Sequence, residues 1–178
     1  MGYLFTGNTK QELVEELIDG DTQIVTHKHS LRGNHLWAIQ EAKQTNHTFI
    51  IVFLLEGDVE GWGYKEVTES MGPMAVDCPL NFLKMVPCPD STYARDWRVR
   101  VRAAATRKNQ RQSMIKQARV GDTVVLENGY SPATVELVST KPMIGGDGRG
   151  NRFRILPRMI ERIEASGRSC SSNSPVVF

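Results

Sequence analysis

The sequence is short of most features that announce a chemistry. It has three cysteines, Cys78, Cys88 and Cys170, in 178 residues. An odd, widely spaced set is no disulfide framework, and without a paired C-x-x-C it is no structural zinc site. No apolar run nears the roughly 18 residues of a membrane-spanning helix. The longest, FIIVFLL from Phe49 to Leu55, has the length of one buried strand. The start, MGYLFTGNTK, lacks the basic and apolar regions of a signal peptide. It fits the loose myristoylation pattern through Gly2 and Thr6, but Tyr3-Leu4-Phe5 reads better as a first strand. A reducing cytoplasm, with no membrane, is the expectation. There is no phosphate-binding loop: GGDGRG (145–150) misses the frame and the strand-to-helix context. ESMGP is no G-x-S-x-G elbow. No cofactor, metal or catalytic residue is assigned, and no internal repeat is visible.

What is present is globular, with 40% hydrophobic and 24% charged residues, enough for one large domain or two small ones. The net charge of +2 conceals a division. Residues 1–90 hold six Lys and Arg against thirteen Asp and Glu, net −7; residues 91–178 hold sixteen against seven, net +9. Such asymmetry points to an anionic partner or to mutual attraction of the halves.

The pattern predicts an α+β protein. Residues 1–90 read as an α+β domain with an antiparallel sheet, starting with a strand over 2–6 and a turn at Gly7-Asn8. Thr9 and Glu12 have capping-box spacing, and Leu13, Val14, Leu17 and Ile18 make one helical face that stops at Gly20. A β-meander follows: TQIVTHKHSL, the turn Arg32 to His35, HLWAIQEA, and FIIVFLLEG. Leu36 to Ile39 would equally open a helix. GWGYKEVTESMGPMAVDCP (61–79) reads as a structured turn. In it Trp62 and Tyr64 pack, Gly72-Pro73 turns the chain, and Asp77 caps a short helix that turns Leu80, Phe82, Leu83 and Met85 to the core.

Residues 91–120 predict a long basic helix capped by Asp90, Ser91 or Thr92. Tyr93, Trp97, Val101 and Ala104 form its apolar stripe, continued by Ile115 and Ala118. Residues 121–165 have the cadence of a small SH3-like β-barrel, with turns at NGY and GGDGRGN and a closing helical turn at PRMIERIE. The Ser-rich tail, 166–178, is expected to be disordered.

Three chemistries are open. His27 and His29 lie two apart on a strand, on one face, with His35 across the turn. They would begin a metal site if a carboxylate or Cys78 came close; otherwise they are an exposed edge. Glu66 and Glu69, three apart, would share acid and base work alongside Ser70 and Asp77, or simply cap turns and pair with downstream arginines. Cys78 would be a nucleophile only with a histidine beside it. Trp62, Tyr64, Lys65, Glu66, Glu69 and Asp77 together make a candidate functional loop. The third chemistry is nucleic-acid binding. From Arg95 to Arg119 nine basic residues face one acid, Asp96. Arg95, Arg98, Arg102, Lys108, Arg111 and Arg119, with Arg149, Arg152 and Arg154 in the barrel, are the expected phosphate contacts.

The segments LRGNHLW, WGYKEVTESMGPMAVDCP and YARDWRVRVR resemble an uncharacterised family common on bacteriophages and plasmids, whose members share a W-G-Y-K…E-S-M-G-P core, a helix with a Trp-Arg pair and a small β-domain. The resemblance covers roughly residues 2–120. The family has no established activity. The resemblance implies a cytoplasmic accessory protein of a mobile element, acting on host defence, DNA or transcription. The leading expectation is therefore a non-enzymatic accessory protein that binds a macromolecule, with nucleic acid the favoured partner. The alternatives are an inhibitor of a host defence protein, and a hydrolase or metal-dependent enzyme using Glu66, Glu69, Asp77 or His29.

Overall fold

A computed structural model describes residues 3–5, 9–58, 61–127, 132–137 and 143–166. The chain divides into two compact units, Met1–Ala105 and Thr106–Phe178.

The first unit is built on five antiparallel strands: β1 (Tyr3–Phe5), β2 (Ile24–Arg32), β3 (His35–Ala42), β4 (His47–Asp58) and β5 (Gly61–Thr68). Their order is β1-β5-β4-β3-β2. The ambiguous Leu36 to Ile39 is strand, because it pairs on both sides: Trp37 opposes Ser30 on β2 and Val52 on β4. Both faces of the sheet are covered, which explains the unbroken apolar run FIIVFLL. Leu36, Ala38, Ile51, Phe53 and Leu55 pack with Leu13, Val14, Leu17 and Ile18 of helix α1 (Lys10–Asp19). Trp37, Ile39, Ile50 and Val52 pack on the other side with Phe82, Leu83, Trp97 and Val101. The predicted capping box forms, Glu12 N donating to Thr9 Oγ1 at 3.2 Å and Thr9 N to a Glu12 carboxylate oxygen at 3.3 Å.

The stretch 61–79 departs from its reading as a turn. Its first eight residues are strand β5, paired along β4 from Gly61–Asp58 to Thr68–Ile51. Trp62 packs with the α1-side cluster and lies across Gly57, where a Cβ would come within 2.6 Å of the indole. Glycine is needed there for space. A 3-10 turn, Glu69–Met71, follows and ends at Gly72 with φ 64°. Asp77 caps no helix: α2 spans only Phe82–Met85 and is preceded by Asn81. Phe82 and Leu83 are buried as expected, while Leu80 and Met85 are exposed.

Helix α3 runs from Thr92 to Gln117, and Ser91 Oγ accepts from Ala94 N at 3.4 Å. Its buried face is Ala94, Trp97, Arg98 and Val101, one position round from the predicted stripe, so Tyr93 is 70% exposed. Ala94 satisfies the same helical spacing as Tyr93 and lets the helix approach closely.

The second unit is an antiparallel sheet of β6 (Thr123–Leu126), β7 (Ala133–Leu137), β8 (Met143–Gly146), β9 (Arg152–Ile155) and β10 (Ile160–Glu164), in the order β10-β6-β7-β8-β9. Among the described residues no ladder joins β9 to β10, so a closed barrel is not detected. Met114, Ile115 and Ala118 seal its core. PRMIERIE is not a closing helical turn throughout: only Pro157–Met159 is a 3-10 turn, and the alternating IERIE is strand β10. GGDGRGN is a hairpin loop as read. Asp147 accepts from Arg149 N, Asn151 N and Asn151 Nδ2, while Gly148 and Gly150 have φ of 72° and 87°. The NGY turn, the Gly7-Asn8 turn and tail residues 167–178 lie outside the described residues. The chain is thus α+β with two antiparallel sheets, and no helix of the described residues is long and apolar enough to cross a membrane.

Truncating Trp97 to Ala is expected to destabilise the first unit by about 3–5 kcal/mol, through the lost core volume. Tyr93→Ala, four residues away on the exposed side, should stay within about 0.5 kcal/mol of the parent. Urea unfolding followed by far-UV circular dichroism checks both.

Candidate functional site

The chemistry-rich segment between β5 and α3 is folded down by side chains of α3. Trp97 Nε1 donates to Ala75 O at 2.8 Å, and Arg100 Nη2 to Pro73 O at 3.1 Å. Ser91 Oγ donates to Ser70 O at 3.1 Å. The Trp97 ring stacks on Trp37 with centroids 5.6 Å apart. Beneath them lies an ion pair with almost no solvent contact: Glu69 is 1% exposed and Arg98 3%. Arg98 Nε donates to Glu69 Oε2 at 2.7 Å, with Nη2 equally close. Nη1 donates to Leu83 O and Val86 O, and Nη2 to Pro87 O. The planar guanidinium therefore satisfies one carboxylate and the carbonyls where α2 ends. Glu69 Oε1 has no hydrogen-bond partner among the described residues.

Around Asp77 a second cluster forms. Its Oδ1 lies 2.8 Å from His35 Nδ1 and accepts from Trp37 Nε1 at 3.2 Å, while Arg32 Nη1 donates to Asp77 O at 2.7 Å. An aspartate on Nδ1 orients the imidazole. His35 and Asp77 are each more than one-third exposed. This dyad has the form of a general base, but among the described residues no nucleophile stands with it. Cys78 is buried, its Sγ donating to Pro79 O, and desolvation pushes its thiol up to about 12, against a smaller opposing effect of Arg32. It is a protonated thiol at neutral pH.

The remaining sequence candidates are separated. Glu66 opposes Phe53 on the α1 side of the sheet, whereas Glu69 is inside the opposite core, so the two carboxylates share no site. Lys65 is exposed opposite Leu54, and Tyr64 packs edge-on to Phe53 at 5.7 Å. Lys10 Nζ sits 5.8 Å over the Trp62 ring. His27 and His29 do not share a face. A register shift between Thr26 and Lys28 leaves His27 bonded to Glu41, while His29 opposes Ala38 on the other side. Among the described residues no group of three His, Cys, Asp or Glu could hold a metal ion.

The basic residues sort into two kinds. Arg98 is internal, Arg95 pairs with Asp90, Arg111 with Glu127, and Arg152 with Glu136. Arg102 is exposed and has a partner of its own. Arg107, Lys108, Lys116, Arg119, Arg154 and Arg158 are exposed with no carboxylate pair among the described residues, while Arg149 lies by Asp147, whose carboxylate its charge and backbone N–H help to hold ionised. In the second unit Arg152 and Arg154 oppose Gly146 and Ile144, sharing the outer face of edge strand β9. They line a cleft of about 400 Å³ with Phe153, Ile144 and Glu136.

Sequence reasoning missed Arg32, His35 and Trp37 as partners of Asp77, and Arg98 as an internal residue. A signal for Arg98 existed: an apolar stripe drawn through Ala94 passes through position 98. No family model matches the chain, and no curated protein or solved structure matches it.

In a Cys170→Ser variant, a thiol reagent at pH 8 should titrate only Cys88, which is exposed, and reach Cys78 after unfolding. Because the folded Cys78 thiol is raised from 9.0 to about 12, its contribution to stability is full below pH 9 and is lost as pH rises towards 12. A Cys78→Ala variant should lack that part of the alkaline loss.

Proposed function

We propose that the protein binds nucleic acid, without base specificity, through the unpaired cations of its second unit. The observation that carries this reading is the sorting of the basic residues. Once the arginines engaged inside the protein are set aside, an exposed group without carboxylate partners among the described residues remains: Arg107, Lys108, Lys116 and Arg119 on and after α3, with Arg154 on β9. Residues 106–178 carry twelve Lys and Arg against six Asp and Glu, net +6. Unpaired cations release counterions on meeting phosphates, whereas paired ones must first break a contact. We propose too that the second sheet is a small SH3-like barrel. The meander β6 to β9, the 3-10 turn before the last strand and the return of that strand to pair with β6 support it. The resemblance to phage and plasmid proteins suggests a mobile-element accessory role in a host cytoplasm.

A second reading, contact with a host protein, is favoured by one feature of the first unit. Met71, Met74 and Tyr93 are 66%, 87% and 70% exposed around Gly72, whose Cβ position is 3.1 Å from Tyr93 Cβ. Exposed methionine beside an aromatic suits an adaptable protein contact.

Anisotropy of a labelled oligonucleotide, titrated between about 50 and 200 mM salt, tests the first reading. Binding should weaken steeply with salt. Changing Lys108, Arg119 and Arg154 to Ala should reduce the log–log slope by roughly one for each phosphate contact removed, with the folded state unchanged. Salt-independent binding, or none to any DNA or RNA, overturns it. A lysate capture that survives nuclease and fails with Met74→Asp supports the second reading instead.

A further inference from the structure

The cleft of about 400 Å³ on the outer face of the second sheet is shaped by an irregularity in β7. Val135 pairs with Gly145 and Leu137 with Ile144, so Glu136 is an extra residue bulged out of the ladder. The bulge carries its carboxylate over Gly146, where any Cβ would overlap Glu136 Oε1. Past that glycine, Glu136 Oε2 lies 2.5 Å from Arg152 Nε on β9. The two are close but not aligned: Oε2 is buried and accepts no hydrogen bond among the described residues. Arg152 therefore has its charge offset while its side chain stays 76% exposed. Arg154, two residues along, opposes Ile144 and is exposed, with no carboxylate partner among the described residues. Phe153, between the two arginines, packs with the core on the other side of the sheet. The cleft thus brings together a neutralised guanidinium, a free one and one aliphatic side chain.

The two arginines differ in what they attract. Arg154 is a free cation and suits a phosphate. At Arg152 the Glu136 carboxylate repels a phosphate, but the flat face of the guanidinium still stacks on a planar ring. Ile144 offers that ring an apolar contact. Side chains two apart on a strand stand about 7 Å apart, a separation that one nucleotide spans from phosphate to base. A phosphate alone would need neither the aliphatic residue nor the neutralised arginine. In a duplex the base faces are stacked on one another, so only an unpaired strand has a face to offer. We propose that this cleft takes one nucleotide of single-stranded nucleic acid, its phosphate on Arg154 and its base against Arg152 and Ile144. The inference rests on the nucleic-acid reading above and narrows it to single strands. Contact with base faces rather than edges agrees with binding that ignores sequence. Glu136 is a positioning residue, acting through Arg152.

The test is anisotropy of the full chain with three labelled probes of equal length: oligothymidylate, a duplex, and a strand whose sites are abasic. The oligothymidylate should bind about fivefold or more tighter than either of the others, because only it carries exposed base faces. Arg154→Ala should lower the log–log salt slope by roughly one. Arg152→Ala should weaken oligothymidylate binding about fivefold or more and leave that slope unchanged, since its charge is already offset. Arg152→Lys, which keeps the charge and loses the plane, should not restore it. Both arginines are exposed, and far-UV circular dichroism checks that the variants fold. The proposal is overturned, with the nucleic-acid reading left standing, if the abasic strand or the duplex binds as well as oligothymidylate, or if Arg152→Ala acts only through the salt slope. Binding to none of the three probes overturns both.

Discussion

The buried pair between Arg98 and Glu69 is the constraint on which the first unit depends. An arginine taken out of water must find a partner for every N–H, or the fold loses several kcal/mol. Here one side chain of α3 reaches a carboxylate on the 3-10 turn after β5 and three carbonyls at and beyond the end of α2. It thereby joins segments that share no regular hydrogen-bond ladder. Trp97, one residue before it, adds a stacked ring and a bond to Ala75 O. Residues 69–87 have little secondary structure of their own, so their order is inherited from α3.

That dependence alters what the conspicuous residues of the loop can do. Glu69, Cys78 and Arg98 are interior groups, and a protonated thiol beside an internal ion pair is no nucleophile. Asp77 is the loop's link to the sheet, because His35 and Trp37 both bond its carboxylate. Even so, the His35–Asp77 dyad keeps an exposed edge. α3 thus carries basic residues of opposite use: Arg98 and Arg100 hold the first unit together, while Arg107 and Lys108 remain turned to solvent.

Much of the fold was legible because it rests on local periodicity. The capping box at Thr9 and Glu12, the three meander strands β2 to β4, the length of α3 and the glycine hairpin all follow from spacing within a few residues. The errors lie where a distant partner decides. GWGYKEVT looks like a turn by composition, yet β4 on one side and β1 on the other supply ladders that make it strand. Asp77 looks like a cap until His35, some forty residues earlier, claims its carboxylate. The histidine pair on β2 fails through one register shift, which no alternation count foresees. Arg98 read as a surface cation because charge argues for exposure, and only its place on the Ala94–Trp97–Val101 stripe argues otherwise.

A double-mutant cycle on Arg98 and Glu69 addresses the central interaction most directly. Urea unfolding of Arg98→Met, Glu69→Gln and the combined variant yields the coupling free energy. Each single change should destabilise by about 3–5 kcal/mol, because it strands a buried polar partner. The combined change should cost much less than their sum, with a coupling of roughly 2 kcal/mol or more. Single changes that are nearly silent, or effects that simply add, would contradict the dependence of this unit on that pair.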